Sequence, residues 1–139
     1  MNIHHIGYVV KEIQAATQEF ALFGYHKETA GGIVYDVLRG IDIVFMTNGI
    51  YRVELVQPKD INSIAAGMLR RLGSAPYHIC YECGDLEKEG NMLREKGYVP
   101  VSSEQPAVAL GERKVSFWFH PQIGMVELLE TVRFAGQDG

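Results

Sequence analysis

The chain has 139 residues, of which 47% are hydrophobic and 22% are charged. This length and balance are typical of one globular domain, or of two small modules that share a core, and they exclude extended disorder. The net charge of −4 disfavours nucleic acid or an anionic membrane as the main partner. No apolar run reaches the roughly 18 residues of a membrane span, and the first residues lack the features of a signal peptide. We therefore expect a cytoplasmic protein.

Hydrophobic periodicity predicts one strand, one helix and three further strands in the first half of the chain. The predicted helix ends at Gly24, and Asn48-Gly49 between two alternating apolar runs is a hairpin signal. The predicted strands cover residues 3–10, 32–38, 41–47 and 51–57, and the predicted helix covers residues 12–23.

The second half of the chain repeats this order of elements. The predicted strands cover residues 77–83, 98–102, 113–120 and 125–132, and the predicted helix covers residues 85–96. The pattern predicts an α+β fold with a first βαβββ module at residues 1–58, a connecting helix or linker at residues 59–74 and a second βαβββ module at residues 75–139. We expect the two modules to form one structural domain.

A register of 73 residues relates the two modules. His5 and His78 are 73 positions apart (78 − 5), and so are Glu54 and Glu127 (127 − 54). Neighbouring residues follow the same register, since Gly24-Tyr25 corresponds to Gly97-Tyr98. The chain is therefore a tandem duplication in which each copy carries one histidine and one glutamate.

Strand alternation predicts where these four side chains point. One helix covers only one face of a sheet, so two curved mixed sheets can pair through their other faces and form a cleft. His5 is predicted to share the cleft face with Gly7, whereas the neighbouring His4 is predicted to face the other way. Glu54 and Glu127 each lie between two apolar residues, and an ionised carboxylate on an interior face needs a partner.

A divalent metal ion is the partner that the four residues favour. Two imidazoles and two carboxylates suit a single divalent ion, which could be Zn²⁺, Ni²⁺, Co²⁺, Mn²⁺ or Fe²⁺. Four ligands leave coordination positions open for water or substrate. A single strand histidine is more often satisfied by hydrogen bonds, and a single glutamate often lies on a solvated face. All four residues in one register favour the metal interpretation and an enzyme.

Other chemistry-bearing residues have more than one interpretation. Cys80 and Cys83 form a C-x-x-C string inside a predicted strand and are interpreted as small strand residues, because a redox pair prefers a helix N-terminus. Ser116, Trp118 and His120 alternate with apolar residues. If the apolar set packs under the helix, Trp118 and His120 line the cleft as substrate-binding residues.

Four motifs resemble the vicinal oxygen chelate superfamily, which includes glyoxalase I, methylmalonyl-CoA epimerase, extradiol dioxygenases and bleomycin-binding proteins. The motifs are His5-Ile6-Gly7-Tyr8-Val9-Val10, Glu54-Leu55-Val56-Gln57-Pro58, His78-Ile79-Cys80-Tyr81-Glu82 and Val126-Glu127-Leu128-Leu129-Glu130. The resemblance covers essentially the whole chain and is closest to methylmalonyl-CoA epimerase-like members. It implies that His5, Glu54, His78 and Glu127 are metal ligands.

The resemblance also implies a reaction. A substrate with two neighbouring oxygens binds the metal, which stabilises the enolate or enediolate formed when a carbon acid is deprotonated. Glu127 or Glu54 is the expected base. Epimerases carry an acidic pair before the glycine that corresponds to Gly40, but this chain lacks the pair, and its nearest acidic residue, Asp36, is an outside candidate. Arg39 and Arg113 could hold an anionic tail, although each could equally be a solvated turn residue.

Several functions remain open at this point. The substrate is expected to be an acyl-CoA, as for an epimerase, or a thiol adduct, as for a glyoxalase I-like lactoylglutathione lyase. A non-catalytic bleomycin-type binding protein and an extradiol dioxygenase are less consistent with four retained ligands, since such a dioxygenase uses two histidines and one carboxylate. The resemblance further implies a homodimer.

Overall fold

The computed structural model describes residues 1–28 and 32–131. These residues form an α+β fold with helices and mixed strand pairing, so the predicted fold class is confirmed. The strands are β1 (Asn2–Val9), β2 (His26–Lys27), β3 (Val34–Asp36), β4 (Ile41–Asn48), β5 (Tyr51–Pro58), β6 (Ala75–Cys83), β7 (Val99–Pro100), β8 (Gln105–Ala107), β9 (Arg113–His120) and β10 (Gly124–Glu130). The helices are α1 (Ile13–Leu22), α2 (Ile64–Leu72) and α3 (Leu86–Glu95), and Val108–Leu110 is a single 3₁₀ turn.

The helices begin and end where local chemistry favours it. Ser63 caps α2 by accepting a hydrogen bond from the backbone N–H of Ala66, and Asp85 caps α3 in the same way. Gly24 and Gly97 follow α1 and α3, and both have a φ of 92°, which glycine adopts without a Cβ penalty. No helix in residues 1–28 and 32–131 is long and apolar enough to span a membrane.

The described residues divide into two compact units, one of residues 4–28 and 32–79 and the other of residues 1–3 and 80–131. The first unit has the strand order β2-β4-β5-β1-β6, and β3 also pairs with β4. β1 pairs with β5 in parallel, and the β4–β5 hairpin is antiparallel. The core between α1 and this sheet contains Val10, Ile13, Val44, Met46, Val53 and Leu55.

The second unit has the strand order β6-β10-β9-β7, and β8 pairs with the other part of β9. Its main core lies between α3 and the sheet and contains Cys83, Leu86, Leu93, Trp118, Val126 and Leu128. A separate cluster of Cys80, Ala107, Val115 and Leu129 covers the other face. The modules predicted at residues 1–58 and 75–139 stay a prediction, since β6 contributes to both compact units.

The predicted strands differ from the observed ones mainly at sheet edges. The strand predicted at residues 32–38 is shorter in the structure and covers only Val34–Asp36. It ends there because Asp36 begins a turn, in which its carboxylate accepts a hydrogen bond from the backbone N–H of Arg39. The two-residue β2 and the three-residue β8 were missed, since such short strands have no periodicity to detect. The strand predicted to end at residue 132 ends at Glu130, and residue 132 itself lies outside the described residues.

The side chains of β9 alternate between the two faces of the sheet, and Trp118 lies on the face toward α3 rather than on the face predicted to line a cleft. Trp118 packs under α3, while Val115 and Phe117 belong to the cluster on the other face. Gly90 explains why Trp118 lies on this face, because the indole ring occupies the space beside that glycine. A Cβ built on Gly90 would lie 2.9 Å from Cζ2 of Trp118. The indole of Trp118 therefore packs against α3 at the position where the helix has a glycine.

We expect Gly90→Ala to lower the free energy of unfolding by about 1–3 kcal/mol, because overpacking against the buried indole outweighs the gain in helix propensity. Gly67→Ala in α2 is the matched control, since its nearest neighbouring atom is Nη2 of Arg70 at 3.8 Å. The control should be stabilised by roughly 0.5–1 kcal/mol. Urea unfolding of both variants measures the two changes, and equal effects would contradict the packing argument.

Candidate metal centre

Three neighbouring strands of the first unit bring His5, Glu54 and His78 together. The parallel register of β1 and β5 places Gly7 beside Glu54, and β6 lies on the other side of β1. His5 and Gly7 alternate with Tyr8 and Val10, which pack against α1, so the histidine lies on the opposite face. Glu54 shares that face for the same reason, because Val53 and Leu55 on either side of it pack against α1.

The three side chains form a compact donor set. His5 Nε2 lies 3.2 Å from His78 Nε2 and 3.6 Å from Glu54 Oε1, and His78 Nε2 lies 3.5 Å from the same oxygen. Donor atoms about 2.1 Å from a tetrahedral ion are roughly 3.4 Å apart. The spacing of the two imidazole nitrogens and the carboxylate oxygen therefore fits one face of a divalent metal site.

Burial favours a positive partner at this group. His5, Glu54 and His78 are 1%, 6% and 4% exposed. Burying an ionised carboxylate is costly unless it is paired, and a bound cation would compensate its charge. The donor types and their burial thus agree with a group that could hold a metal ion.

Gly7 provides the space for His78. A Cβ built on Gly7 would lie 2.0 Å from Cε1 of His78 and 2.5 Å from its Nε2. Glycine inside a strand often marks such a close approach, and this signal in the sequence could have pointed to the residue, which was not among the predicted site residues. Gly7 is therefore part of the site, although it offers no ligand atom.

Glu127 lies in the second compact unit on β10 and is 4% exposed. Its neighbours Val126 and Leu128 pack against α3, so the carboxylate lies on the face away from the helix, as Glu54 does in the first unit. Its cross-strand partner on β9 is Phe117. Its role as a fourth ligand stays a prediction from the 73-residue register.

Asp36 and Arg39 lie together in the turn after β3. Nη1 of Arg39 lies 2.6 Å from Oδ2 of Asp36, and the Arg39 backbone N–H donates to Oδ1 over 3.1 Å. Asp36 is 2% exposed. The turn thus engages both residues locally, and their roles in catalysis and binding remain predictions.

Arg113 begins β9 and also has local partners. Its Nη1 lies 3.4 Å from Oε2 of Glu82, and its Nε donates to the Leu110 carbonyl over 3.3 Å. The side chain is 19% exposed. Its predicted contact with an anionic tail remains untested.

Trp118 and His120 lie on the α3 side of their sheet, the face opposite to Glu127. Nε1 of Trp118 donates to Oγ of Ser116, and Nδ1 of His120 accepts the Gln122 N–H. The structure does not place either side chain on the Glu127 face of this unit. The apolar set of β9 therefore does not pack under the helix, because the indole occupies the space beside Gly90. The substrate-binding roles of Trp118 and His120 stay predictions.

Cys80 and Cys83 are both buried, and neither forms a disulfide. Burial raises the pKa of the Cys83 thiol, and Glu89 raises it further. A raised pKa disfavours the reactive thiolate. Cys83 thus lacks the activated thiolate of a redox or zinc-thiolate centre.

The family model of the Glyoxalase/Bleomycin resistance protein/Dioxygenase superfamily matches residues 4–117. The chain belongs to this superfamily. The matched segment contains His5, Glu54 and His78, so these three residues of the candidate metal centre lie within the family region. The predicted resemblance of the chain to this superfamily is thereby confirmed.

Known relatives within the superfamily include epimerases of acyl-CoA esters. The chain is 26% identical to an ethylmalonyl-CoA/methylmalonyl-CoA epimerase of Cereibacter sphaeroides over 86% of this chain and 88% of the relative. The fold is similar to that of methylmalonyl-CoA epimerase from Mycobacterium tuberculosis, with a TM-score of 0.78, 20% identity and coverage of 94% and 88% of the two chains. A variant of the Streptomyces coelicolor epimerase, in complex with 2-nitronate-propionyl-CoA, is similar with a TM-score of 0.80, 19% identity and coverage of 95% of each chain.

Proposed function

We propose that this protein is a divalent-metal-dependent, methylmalonyl-CoA epimerase-like isomerase that removes a proton from the carbon beside a thioester carbonyl. The observation that carries the proposal is the buried triangle of His5, Glu54 and His78, whose donor atoms are 3.2–3.6 Å apart. The epimerase relative from Cereibacter sphaeroides supports the substrate class.

We assign the metal site to His5, Glu54, His78 and Glu127, with Zn²⁺, Ni²⁺, Co²⁺ or Mn²⁺ as the ion. Support for the fourth ligand is that Glu127 is buried and holds the position of Glu54 in the repeat. A divalent ion bound there supplies Lewis-acid stabilisation of the oxyanion that forms on deprotonation. The protein holds the ion with neutral imidazoles and carboxylates, a set of intermediate hardness.

The proton is moved by a carboxylate. Epimerisation inverts the carbon, so a proton is removed from one face and returned to the other, and two acid–base groups serve this best. Glu54 and Glu127 are the two carboxylates that the repeat supplies. Asp36 is the weaker candidate, since Arg39 engages its carboxylate.

The substrate is proposed to be an acyl-CoA. Its phosphates need cations, and Arg113 is the easier of the two candidate arginines to recruit, because its contact with Glu82 is 3.4 Å whereas the Arg39–Asp36 contact is 2.6 Å. A homodimer remains the expected assembly.

Glu127→Gln tests the proposed base. Exchange of the acidic substrate proton with deuterium from solvent, followed by NMR with methylmalonyl-CoA, should slow by about 10²–10⁴-fold, the typical contribution of a positioned base. Metal content measured on the same sample separates loss of the base from loss of the ion. Glu130→Gln is the matched control, because Glu130 lies outside the proposed metal site and its side chain accepts the Lys114 N–H, and this variant should exchange at the wild-type rate.

Exchange at the wild-type rate in Glu127→Gln with metal bound would make the base assignment wrong. A wild-type protein that exchanges no proton of an acyl-CoA, but converts a hemithioacetal to a thioester, would instead be the lyase alternative. A protein that gains neither metal nor activity when Ni²⁺, Co²⁺ or Zn²⁺ is added would contradict the metalloenzyme proposal.

A further inference from the structure

We infer that His4 is a positioning residue that sets the tautomer of the proposed metal ligand His5. Nδ1 of His4 lies 2.8 Å from Nδ1 of His5. Strand alternation predicted that the two side chains point apart. Instead, both imidazole rings contact Phe45 edge-on, with centroids 6.1 and 5.3 Å from it.

The direction of the hydrogen bond follows from the other nitrogen of His5. Nε2 is the atom that faces Glu54 and His78, and a metal-binding nitrogen cannot carry a proton. A neutral His5 therefore carries its proton on Nδ1, which donates to Nδ1 of His4. His4 in turn carries its own proton on Nε2.

The carboxylate of Glu54 favours the opposite tautomer of His5. Its Oε1 lies 3.6 Å from His5 Nε2, so the carboxylate attracts a proton to the nitrogen that must bind the metal. An acceptor at Nδ1 opposes that attraction by favouring the other tautomer. Without His4, the Nε2-protonated form of His5 would be favoured, and its proton would have to move to Nδ1 before Nε2 could act as a ligand.

The backbone of His4 is fixed from a separate direction. Its carbonyl accepts a hydrogen bond of 3.2 Å from Nη1 of Arg52, and Arg52 makes two contacts of 2.9 and 3.1 Å with Glu28. A bidentate pair of this kind is geometrically specific. Glu28 and Arg52 thus hold the strand at the residue whose ring orients His5.

The inference rests on the metal-binding part of the proposed function, and the first measurement avoids the metal. In metal-free protein labelled with ¹⁵N-histidine, long-range ¹⁵N–¹H spectra should show His5 protonated on Nδ1. His4→Phe keeps an aromatic ring but removes the acceptor, and should shift the His5 proton to Nε2. His4→Asn places an amide oxygen near the position of Nδ1 and should restore the wild-type tautomer.

Metal affinity is the second measurement. Titration of Co²⁺ against a competing chelator should show that His4→Phe binds about 10–100-fold more weakly than wild type, the usual cost of losing such an outer partner. His4→Asn should recover most of the loss. His26→Phe is the matched control, because His26 is exposed on β2, and it should bind as tightly as wild type.

The outcomes separate the two hypotheses. His5 protonated on Nε2 in the wild type, or unchanged metal affinity in a folded His4→Phe, would overturn the role of His4. A wild-type protein that binds no divalent ion would overturn the proposed function, while the tautomer of His5 in the metal-free protein and in His4→Phe would still decide the positioning role.

Discussion

Gly7→Ala should abolish metal binding while the protein remains folded. The added Cβ would lie 2.0 Å from Cε1 of His78, and both residues belong to paired strands whose backbones cannot separate without losing hydrogen bonds. The imidazole ring must therefore rotate away, which removes Nε2 from its place 3.5 Å from the Glu54 carboxylate. We expect metal affinity to fall by at least about 100-fold, because loss of a ligand costs more than loss of an outer partner.

Competition with a chromophoric chelator measures this change, and Gly84→Ala is the matched control. No atom outside the neighbouring residues lies within 4 Å of a Cβ at Gly84, so that variant should bind metal as the wild type does. Far-ultraviolet circular dichroism shows whether both variants are folded. Unchanged affinity in a folded Gly7→Ala would mean that His78 is not a ligand.

His78→Ala should remove the stabilisation that a divalent ion provides. An ion that binds only the folded state stabilises it by about 2.7 kcal/mol at 100 times its Kd, which raises the melting temperature by roughly 8 °C for a chain of this length. The substitution removes one of the two imidazoles, and the remaining side chains bind the ion too weakly for this effect. The melting temperature of the variant should be the same with added Zn²⁺ and with a chelator.

The comparison is made within each variant, because a cavity at position 78 also lowers the stability of the metal-free protein. His26→Ala is the control, since it removes an exposed histidine of the same unit, and its melting temperature should rise with Zn²⁺ as in the wild type. A response in His78→Ala as large as that of the control would contradict the assignment of His78.

Much of the fold could be predicted from periodicity. The long elements have enough residues to show it, and β9 was predicted with the bounds observed, Arg113–His120. Short edge strands could not be predicted, because β2 and β8 are paired through tertiary contacts with β4 and β9 and have no pattern of their own.

The candidate site divides in the same way. The 73-residue register identified His5, Glu54, His78 and Glu127, because duplication places equivalent residues at equivalent strand positions. The sequence of β9 did not decide which of its side chains face α3, since both sets of alternating residues include aromatic side chains. The space beside Gly90 decides it, and Trp118 consequently packs under α3.

By itself, the sequence determined the α+β class, the duplication and four candidate ligands, because hydrophobic period and repeat register are properties of the chain alone. Only the tertiary structure decided that His5, Glu54 and His78 have donor atoms within 3.6 Å of one another. It also assigned Gly7 and His4 to the surroundings of these donors. These are contacts between strands or between rings, and they depend on strand order, register and rotamer, which no local pattern in a sequence specifies.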